Sequence, residues 1–443
     1  MKPGKIDNSP QLFVARLSQI LNPAHELVQL ADAIDWKRLE QDLGGCYDPR
    51  FGRPGNATRL MAGLHILKHT FNESDESVVA RWVENPYWQY FCGYEYMQHE
   101  FPIDPSSMTY WRKRIGAERV ESLLKETLAV AVLSGHAHPS EFERVNVDTT
   151  VQEKAIAFPT DARLYCKMSL RLANLAKRRG IALRQSYVRV VPKLLKKHAG
   201  YAHAKQYQRA RKATRKLRTI LGRLVRDIRR KCETPDQTLA TFLERADRLL
   251  TQEKDSKRKL YSIDAPEVCC IAKGKAHKRY EFGCKVSVAT SNKDSWVVGM
   301  QALSGNPYDG HTLSGAALQV EQMTGRTLKE IFVDRGYRGH NYTGEAQVYI
   351  AGGRAPEASP ALRKRRRRRS AVEPKIGHMK HDCRMGRNFL KYALGDKINA
   401  LLAGVGANVR KLLAAFSLSL LFSWLVQRLF HRQHVTTASA SAD

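Results

Sequence analysis

Paired cysteines and long apolar runs are both missing from this sequence. Its 443 residues include eight cysteines and no Cys-x-x-Cys pair, so neither a disulfide framework nor a paired-cysteine zinc module is spelled out. Reduced thiols in a cytoplasmic protein are expected. His378, His381 and Cys383 lie close together, but no fourth ligand is apparent and their spacing is not that of a zinc finger. The longest apolar stretch, residues 412–426, falls short of the ~20 residues that cross a bilayer and carries Ser417, Ser419 and Ser423. It reads as a buried or oligomer-forming helix, with no membrane partner. The opening MKPGKIDNSP has no apolar core of the kind a signal peptide needs. Acidic residues are scarce, 43 against 74 Lys and Arg, for a net charge of +31. Such a field favours a polyanion, nucleic acid above all and an anionic membrane second, over a small neutral substrate.

The length suits two or three domains, each with enough apolar content for a core. Residues 57–133 read as helical, with Leu60, Met61, Leu64 and Leu67 recurring at three and four and a capping-rich turn at 72–77. The last helix there runs from Ser106 or Ser107 through Leu124. Tyr110, Trp111, Arg112, Lys113 and Arg114 near its start either lie on DNA or form an ordinary solvated basic face. After Gly135 the pattern turns to strands. FERVNVDTT (142–150) alternates apolar and polar residues and delivers Asp148, while IFVD (331–334) delivers Asp334 ahead of a turn at Arg335, Gly336 and Tyr337. Strands at 280–290 and 295–303 and a helix at 310–323 lie between them.

Residues 161–259 form an insertion holding about 29 Lys and Arg against about 8 Asp and Glu. Leu217, Ile220, Leu221, Leu224, Val225 and Ile228 space an apolar stripe through it, which predicts a long helical hairpin with basic faces. Such faces suit phosphate neutralisation, or belong to a solvated dimerisation arm. The run RKRRRRR (363–369) reads as an exposed or nucleic-acid-facing loop, and a helix is expected to start near Ser370 with Glu373 at its N-terminal end. Lys380, Arg384, Arg387 and Lys391 follow at intervals that place them along one helical face.

Carboxylates on buried strands are costly without a partner. Two of them ~4 Å apart repel by ~4 kcal/mol at an effective dielectric of ~20, which a divalent cation reverses. Oxygen ligands suit Mg2+ or Mn2+, and two such ions about 3.5 to 4 Å apart can activate an attacking oxygen and stabilise the leaving one in line. Asp148, Asp334 and Glu373 are thus candidate metal ligands for phosphoryl transfer. Isolated aspartates at strand ends are also common as turn formers and caps, and that reading stays open. His311, in the NPYDGH stretch, either approaches the site or belongs to a helix-capping turn.

Taken together these motifs resemble the DDE transposases of bacterial insertion sequences, in the group with an N-terminal helical domain ahead of an RNase H-like catalytic core. VNVDTT resembles that family's first-aspartate strand, and Phe158-Pro159-Thr160-Asp161 the segment leading out of it. SIDAPEVCCIAKGKAHKRYEFGCK (262–285) is similar to the link into the second strand, and VDRGYRG to the second-aspartate turn. Arg369, Glu373 and Lys380 fit the spacing of the family's third-acid signature, Tyr-x2-Arg-x3-Glu-x6-Lys, with Arg366 standing at the Tyr position. KHDCRMGRNFLKYALGDKIN (380–399) resembles the family as well.

The resemblance implies an α/β protein: an all-α N-terminal DNA-binding or dimerisation domain (1–135), then an RNase H-like mixed-sheet catalytic domain (136–443) interrupted by the basic insertion. It implies catalysis by Asp148, Asp334 and Glu373 with two Mg2+ ions, Mn2+ as substitute. Contacts to DNA are implied for Arg369, Lys380, Arg384, Arg387, Arg335 and Tyr337. The expected partners are element ends and target DNA, handled by a homo-oligomer in the cytoplasm. No Trp lies in residues 161–259, so the hairpin step that some relatives take with a stacking Trp there is not expected. Two other classes remain: a non-catalytic nucleic-acid-binding protein, and a metal-dependent nuclease of the same core fold.

Overall fold

The computed structural model describes residues 2–4, 6, 14–48, 51, 54–253, 255–257, 259–272, 279–352 and 359–439, with side chains as far as Leu418. The chain divides into two compact units: Met1–Gln152 with Lys285–Asp443, and Glu153–Cys284. The helices of residues 1–135 therefore share a unit with the strands beyond them, where separate domains were expected.

In the first unit the helices α1 (Leu17–Ile20), α2 (Glu26–Ala33), α3 (Trp36–Gly44), α4 (Thr58–Thr70), α5 (Asp75–Glu84), α6 (Pro86–Phe91) and α7 (Ser106–Leu133) precede the first strand. Capping fixes several starts: Ser74 and Ser77 form a reciprocal capping box on α5, and Asn85 caps α6 with Pro86 in its first turn. The helix expected from Ser106 to Leu124 reaches Leu133 but is broken at Gly116, whose φ of 71° suits glycine and interrupts the helical ladder.

The strand β1 (Arg144–Glu153) then leads into the second unit, which consists of α8 (Asp161–Arg178), α9 (Val190–His203), α10 (Tyr207–Lys231), α11 (Gln237–Thr251) and β2 (Cys269–Ala272). This is four helices rather than one hairpin. The stripe read from the sequence is their core: Leu217, Ile220, Leu221, Leu224, Val225 and Ile228 are buried with Leu164, Met168 and Leu172 of α8 and Leu239, Leu243 and Leu249 of α11. Arg209, Arg211, Lys212, Arg215, Lys216, Arg223 and Arg226 are left on the solvent side of α10. Beyond α11, β2 pairs antiparallel with the start of β3 (Tyr280–Ser291), Cys269 facing Gly283 and Ala272 facing Tyr280.

The first unit resumes with the rest of β3, then β4 (Val297–Leu303), α12 (Leu313–Thr324), β5 (Glu330–Val333), β6 (Gln347–Ile350), α13 (Pro360–Arg368), α14 (Val372–Asp382) and α15 (Tyr392–Ser439). Its strands lie in the order β4, β3, β1, β5, β6. β3 and β4 are antiparallel, with a register shift at Ala289 and Thr290, whereas β1, β5 and β6 run parallel. The mixed sheet was expected; β1, read as half-buried, is buried on nearly its whole length, alternate residues on both of its faces being covered.

The C-terminal helix α15 explains why the N-terminal helices do not stand apart. It packs on α2, α4, α7 and β4, so it forms part of their core. Gly406 allows this approach: a Cβ there would sit 2.7 Å from the backbone carbonyl carbon and oxygen of His69 on α4. Asn408 accepts from the Val297 amide and donates to the Val297 carbonyl and the Thr127 hydroxyl, all buried. By length and composition Tyr392–Leu418 could cross a membrane, but 67% of an 18-residue apolar window within it is buried inside the protein. It reads as a core helix. Of the stretch 412–426, Leu412, Leu413 and Phe416 are buried, and the side chains past Leu418 lie outside the described residues.

The arginine run is helical where a loop was expected. Ser359 caps α13 through the Leu362 amide, Pro360 occupies its first turn, and arginine is a good helix former. Its far end is docked on the sheet by amide side chains: Asn292 donates to the Arg365 carbonyl and Asn146 to that of Arg368. α14 follows after a short 3-10 turn, Arg369–Ala371, with Glu373 in its first turn.

Candidate active site

The register of β1 on β5 decides where the first two acids lie. Arg144 pairs with Glu330, Val145 with Ile331 and Asn146 with Phe332 in parallel; two residues further along each strand come Asp148 and Asp334, at the same level on adjacent strands and both on the same face as that last pair. Parallel strands sit ~4.8 Å apart, so register alone brings these carboxylates into one neighbourhood. The Asp148 carboxylate accepts from the Thr149 amide at 2.7 Å. Asp334 ends β5 and caps the 3-10 turn Arg335–Tyr337, accepting from the Gly336 amide at 2.8 Å.

Glu373 is placed differently. Its side chain is 65% exposed and bonded to Arg369, whose Nη2 lies 3.1 Å from Glu373 Oε1 while Nη1 is 4.0 Å from Asp148 Oδ2. The guanidinium thus stands between the third acid and the first. At 17% exposure it is a half-hidden bridge, and its Nη1 has no hydrogen bond within the protein. Among the described residues no three His, Cys, Asp or Glu side chains are grouped closely enough to hold a metal ion.

Two groups absent from the sequence reading complete the cluster. Asp309, in the 3-10 turn after β4, accepts at Oδ1 from the Thr149 hydroxyl at 2.8 Å and from Lys285 Nζ at 2.9 Å. Lys285, on β3, also donates to the Pro307 carbonyl at 2.7 Å. Asp309 belongs to the NPYDGH stretch, whose His311 imidazole is exposed and packs on the Tyr308 ring. Tyr337 is corrected too. Expected to touch DNA, it is fully buried, with Thr312 beside its hydroxyl. Burial first, then Asp148, Asp309 and Asp334, push its pKa far above the ordinary phenol value.

The cations expected along one helical face do not share a helix. α14 ends at Asp382, and Arg384 has a φ of 62°, so Arg384, Arg387 and Lys391 follow a turn instead. Lys380 is half-buried near the end of α14. Arg384 donates to the Asn72 carbonyl at 3.1 Å, burial lowers its pKa, and its guanidinium packs on Phe389, as does that of the exposed Arg387. Arg335 is exposed beside Gly352. His378 and His381 both bond Asp382, while Cys383 is buried. A groove of about 430 Å³ runs along α13 and the start of β1, lined by Arg144, Lys293, Lys364, Arg365 and Arg368. Arg365 is partly spent on Glu330, 2.7 Å away.

The basic start of α7 is not a free DNA-facing stripe. Trp111 and Arg112 are buried, and Arg112 forks onto Asp75 with its two terminal nitrogens at 2.9 and 2.6 Å. Lys68 joins the same carboxylate at 2.7 Å. Burial pushes Asp75 up, but Arg112 and Lys68 outweigh it and hold this carboxyl well below the usual range. Tyr110, Lys113 and Arg114 remain exposed.

The family model of a transposase domain, DUF772, matches residues 15–114, the helices from α1 to α7. A Rhizobium meliloti protein described as "Uncharacterized protein ORF8 in nfe locus" is 54% identical over 208 residues, which is 47% of this chain and 100% of that protein. No solved structure matches. The chain belongs to the same family as this Rhizobium meliloti protein, and it carries a transposase domain of the DUF772 type.

Proposed function

We propose that this chain is a DDE-type DNA transposase with an RNase H-like core in its first unit, cutting and joining the ends of its own insertion sequence. The observation that carries the reading is the β1–β5 register, which sets Asp148, midway along β1, beside Asp334, just past the end of the parallel strand β5. Hard carboxylate oxygens on two adjacent strands, beside a glycine at 336, fit Mg2+ or Mn2+ in donor chemistry. Asp148 and Asp334 would hold the ions, with Glu373 completing the set once it leaves Arg369. Bound divalent ions supply activation of the attacking oxygen, water first and the freed 3′-hydroxyl next, and stabilisation of the leaving oxygen.

The protein's own groups do the rest. Arg369 neutralises Asp148 and Glu373 until DNA arrives, and its unused Nη1 is then available for a phosphate oxygen. Lys380 and Arg387, the groove along α13, and the solvent face of α10 bind backbone phosphate without reading sequence. Two element ends must be joined, so a homo-oligomer acting on cytoplasmic DNA is part of this reading. The transposase domain supports a role in transposition.

A second reading takes the Arg369 bridge as permanent: a DNA-binding protein in which the acids form a structural ion-pair network. Strand cleavage of the gene's flanking DNA in Mg2+ separates the two. Cutting at both flanks by wild type and none by Asp334→Ala supports a metal-dependent enzyme, and joined products then distinguish a transposase from a nuclease. Equal binding with no cutting by either protein supports the second reading.

A further inference from the structure

The stretch CRMGRNFLK (383–391), between α14 and α15, contains no acid and three cations, Arg384, Arg387 and Lys391. At its centre the Phe389 ring is 60% exposed. That exposure is built in, because the backbone around it is pinned. Asn388 is fully buried, donates to the Asp396 carboxylate at 2.7 Å and accepts from the Leu390 amide at 2.9 Å, which fixes both neighbours of Phe389. The Met385 and Gly386 amides donate to the Met379 and Lys380 carbonyls, and Asn399 donates to the Arg384 carbonyl at 3.2 Å. A Cβ on Gly386 would meet the Lys380 carbonyl oxygen at 2.6 Å, so the turn is also closely packed.

We propose that Phe389, between the guanidinium groups of Arg384 and Arg387, is a stacking platform for an unpaired base of single-stranded DNA. The inference rests on the DNA-processing reading above and adds to it a site that takes a base face.

The chemistry of the occupant follows from what is combined there. The two guanidinium carbons lie 5.6 and 5.5 Å from the centre of the ring. Arg384 is tied to the Asn72 carbonyl at 3.1 Å, whereas Arg387 is exposed and able to turn onto a phosphate. An apolar protein surface would cover the ring at the cost of desolvating both cations. A strand of nucleic acid satisfies both kinds of group, its phosphates meeting the cations and a base lying on the ring. In a duplex the base faces are covered by their neighbours, so the ring selects an unpaired base. The loop begins about 14 Å along α14 from Glu373, within reach of a strand that passes the acids.

The test compares the full-length protein, without metal, on a short oligothymidine and on an abasic strand of the same length. Fluorescence anisotropy of the labelled strands gives the affinities, and thermal unfolding checks each variant. Phe389→Leu keeps an apolar side chain and is expected to weaken the thymidine strand by about five- to 150-fold, the range that stacking on one aromatic ring supports, with the abasic strand unchanged. Phe389→Trp should keep the affinity, and its added emission over wild type should be quenched by the thymidine strand and not by the abasic one. Folded Phe389→Leu that binds thymidine as wild type does, or that loses both strands equally, overturns the platform, as does emission from Phe389→Trp that neither strand moves. Each of those outcomes leaves the cleavage reading, tested separately with Asp334→Ala, in place. Wild type that binds no DNA at all overturns both.

Discussion

Asp75→Asn tests how the helices matched by the transposase domain are held together. In the folded protein this carboxylate receives Lys68 at 2.7 Å and both terminal nitrogens of Arg112 at 2.9 and 2.6 Å. The Lys68 and Arg112 side chains are each 5% exposed. Asparagine keeps the shape, so no cavity term enters; what is lost is the charge that compensates two buried cations. Breaking a buried pair from one side costs about 3–5 kcal/mol, because the orphaned ion stays out of water. Against a total stability of about 5–15 kcal/mol that is a large fraction. Urea unfolding followed by near-ultraviolet circular dichroism, where buried Trp82, Trp88 and Trp111 report packing, gives the difference directly. Lys68→Met in the Asp75→Asn background should restore part of it by removing one uncompensated cation. A loss below about 1 kcal/mol, or strictly additive effects of the two changes, refutes the buried-network account. The pH dependence has a definite sign. Asp75 has its folded pKa depressed, so its contribution is present above the unfolded value of ~3.9 and is lost as pH falls below it. Wild type should therefore lose stability below about pH 4 more steeply than Asp75→Asn.

Three further expectations are independent of that network. Gly406→Ala drives a Cβ into the His69 backbone and should cost about 1–3 kcal/mol of unfolding free energy, since overpacking against backbone has little room to relax. Leu221→Ala in the core of the second unit should cost about 2–5 kcal/mol, read as selective loss of hydrogen-exchange protection in α8 and α10. Replacing Arg209, Arg211, Lys212 and Lys216 by glutamine should reduce the slope of log affinity for duplex DNA against log salt by about 0.9 for each phosphate contact removed. An unchanged slope would count against α10 as a DNA surface.

What the sequence disclosed and what it hid divide along a physical line. Local periodicity gave the apolar stripe of α10 and the strands carrying Asp148 and Asp334, because a 3.6-residue or 2-residue repeat is written in consecutive positions. The four-residue β6 lacks room for such a repeat, and it forms because β5 offers it a parallel edge. The arginine run reads in sequence as an exposed or nucleic-acid-facing loop, yet its cap at Ser359 and its docking by Asn146 and Asn292 make it a helix. The unity of residues 1–135 with the sheet was hidden because it depends on α15, whose glycines and asparagines meet α4, α7 and β4 from far along the chain.

The candidate site shows the same division more sharply. Asp148 and Asp334 were visible because each ends or interrupts an apolar strand, where a carboxylate is anomalous. Asp309 sits in a turn beside Pro307 and Gly310, where aspartate is ordinary, and nothing local sets it apart. Its partners lie 24 and 160 residues away in sequence, Lys285 on β3 and Thr149 on β1. Spacing within a motif cannot encode those contacts; the sheet order that makes β3 and β1 neighbours does. The same order accounts for Tyr337, which follows Asp334 in a turn that looked exposed but folds beneath the acids. A cluster of carboxylates with a buried lysine on one oxygen, a buried phenol below and a mobile-length arginine side chain above is balanced for charge only in part.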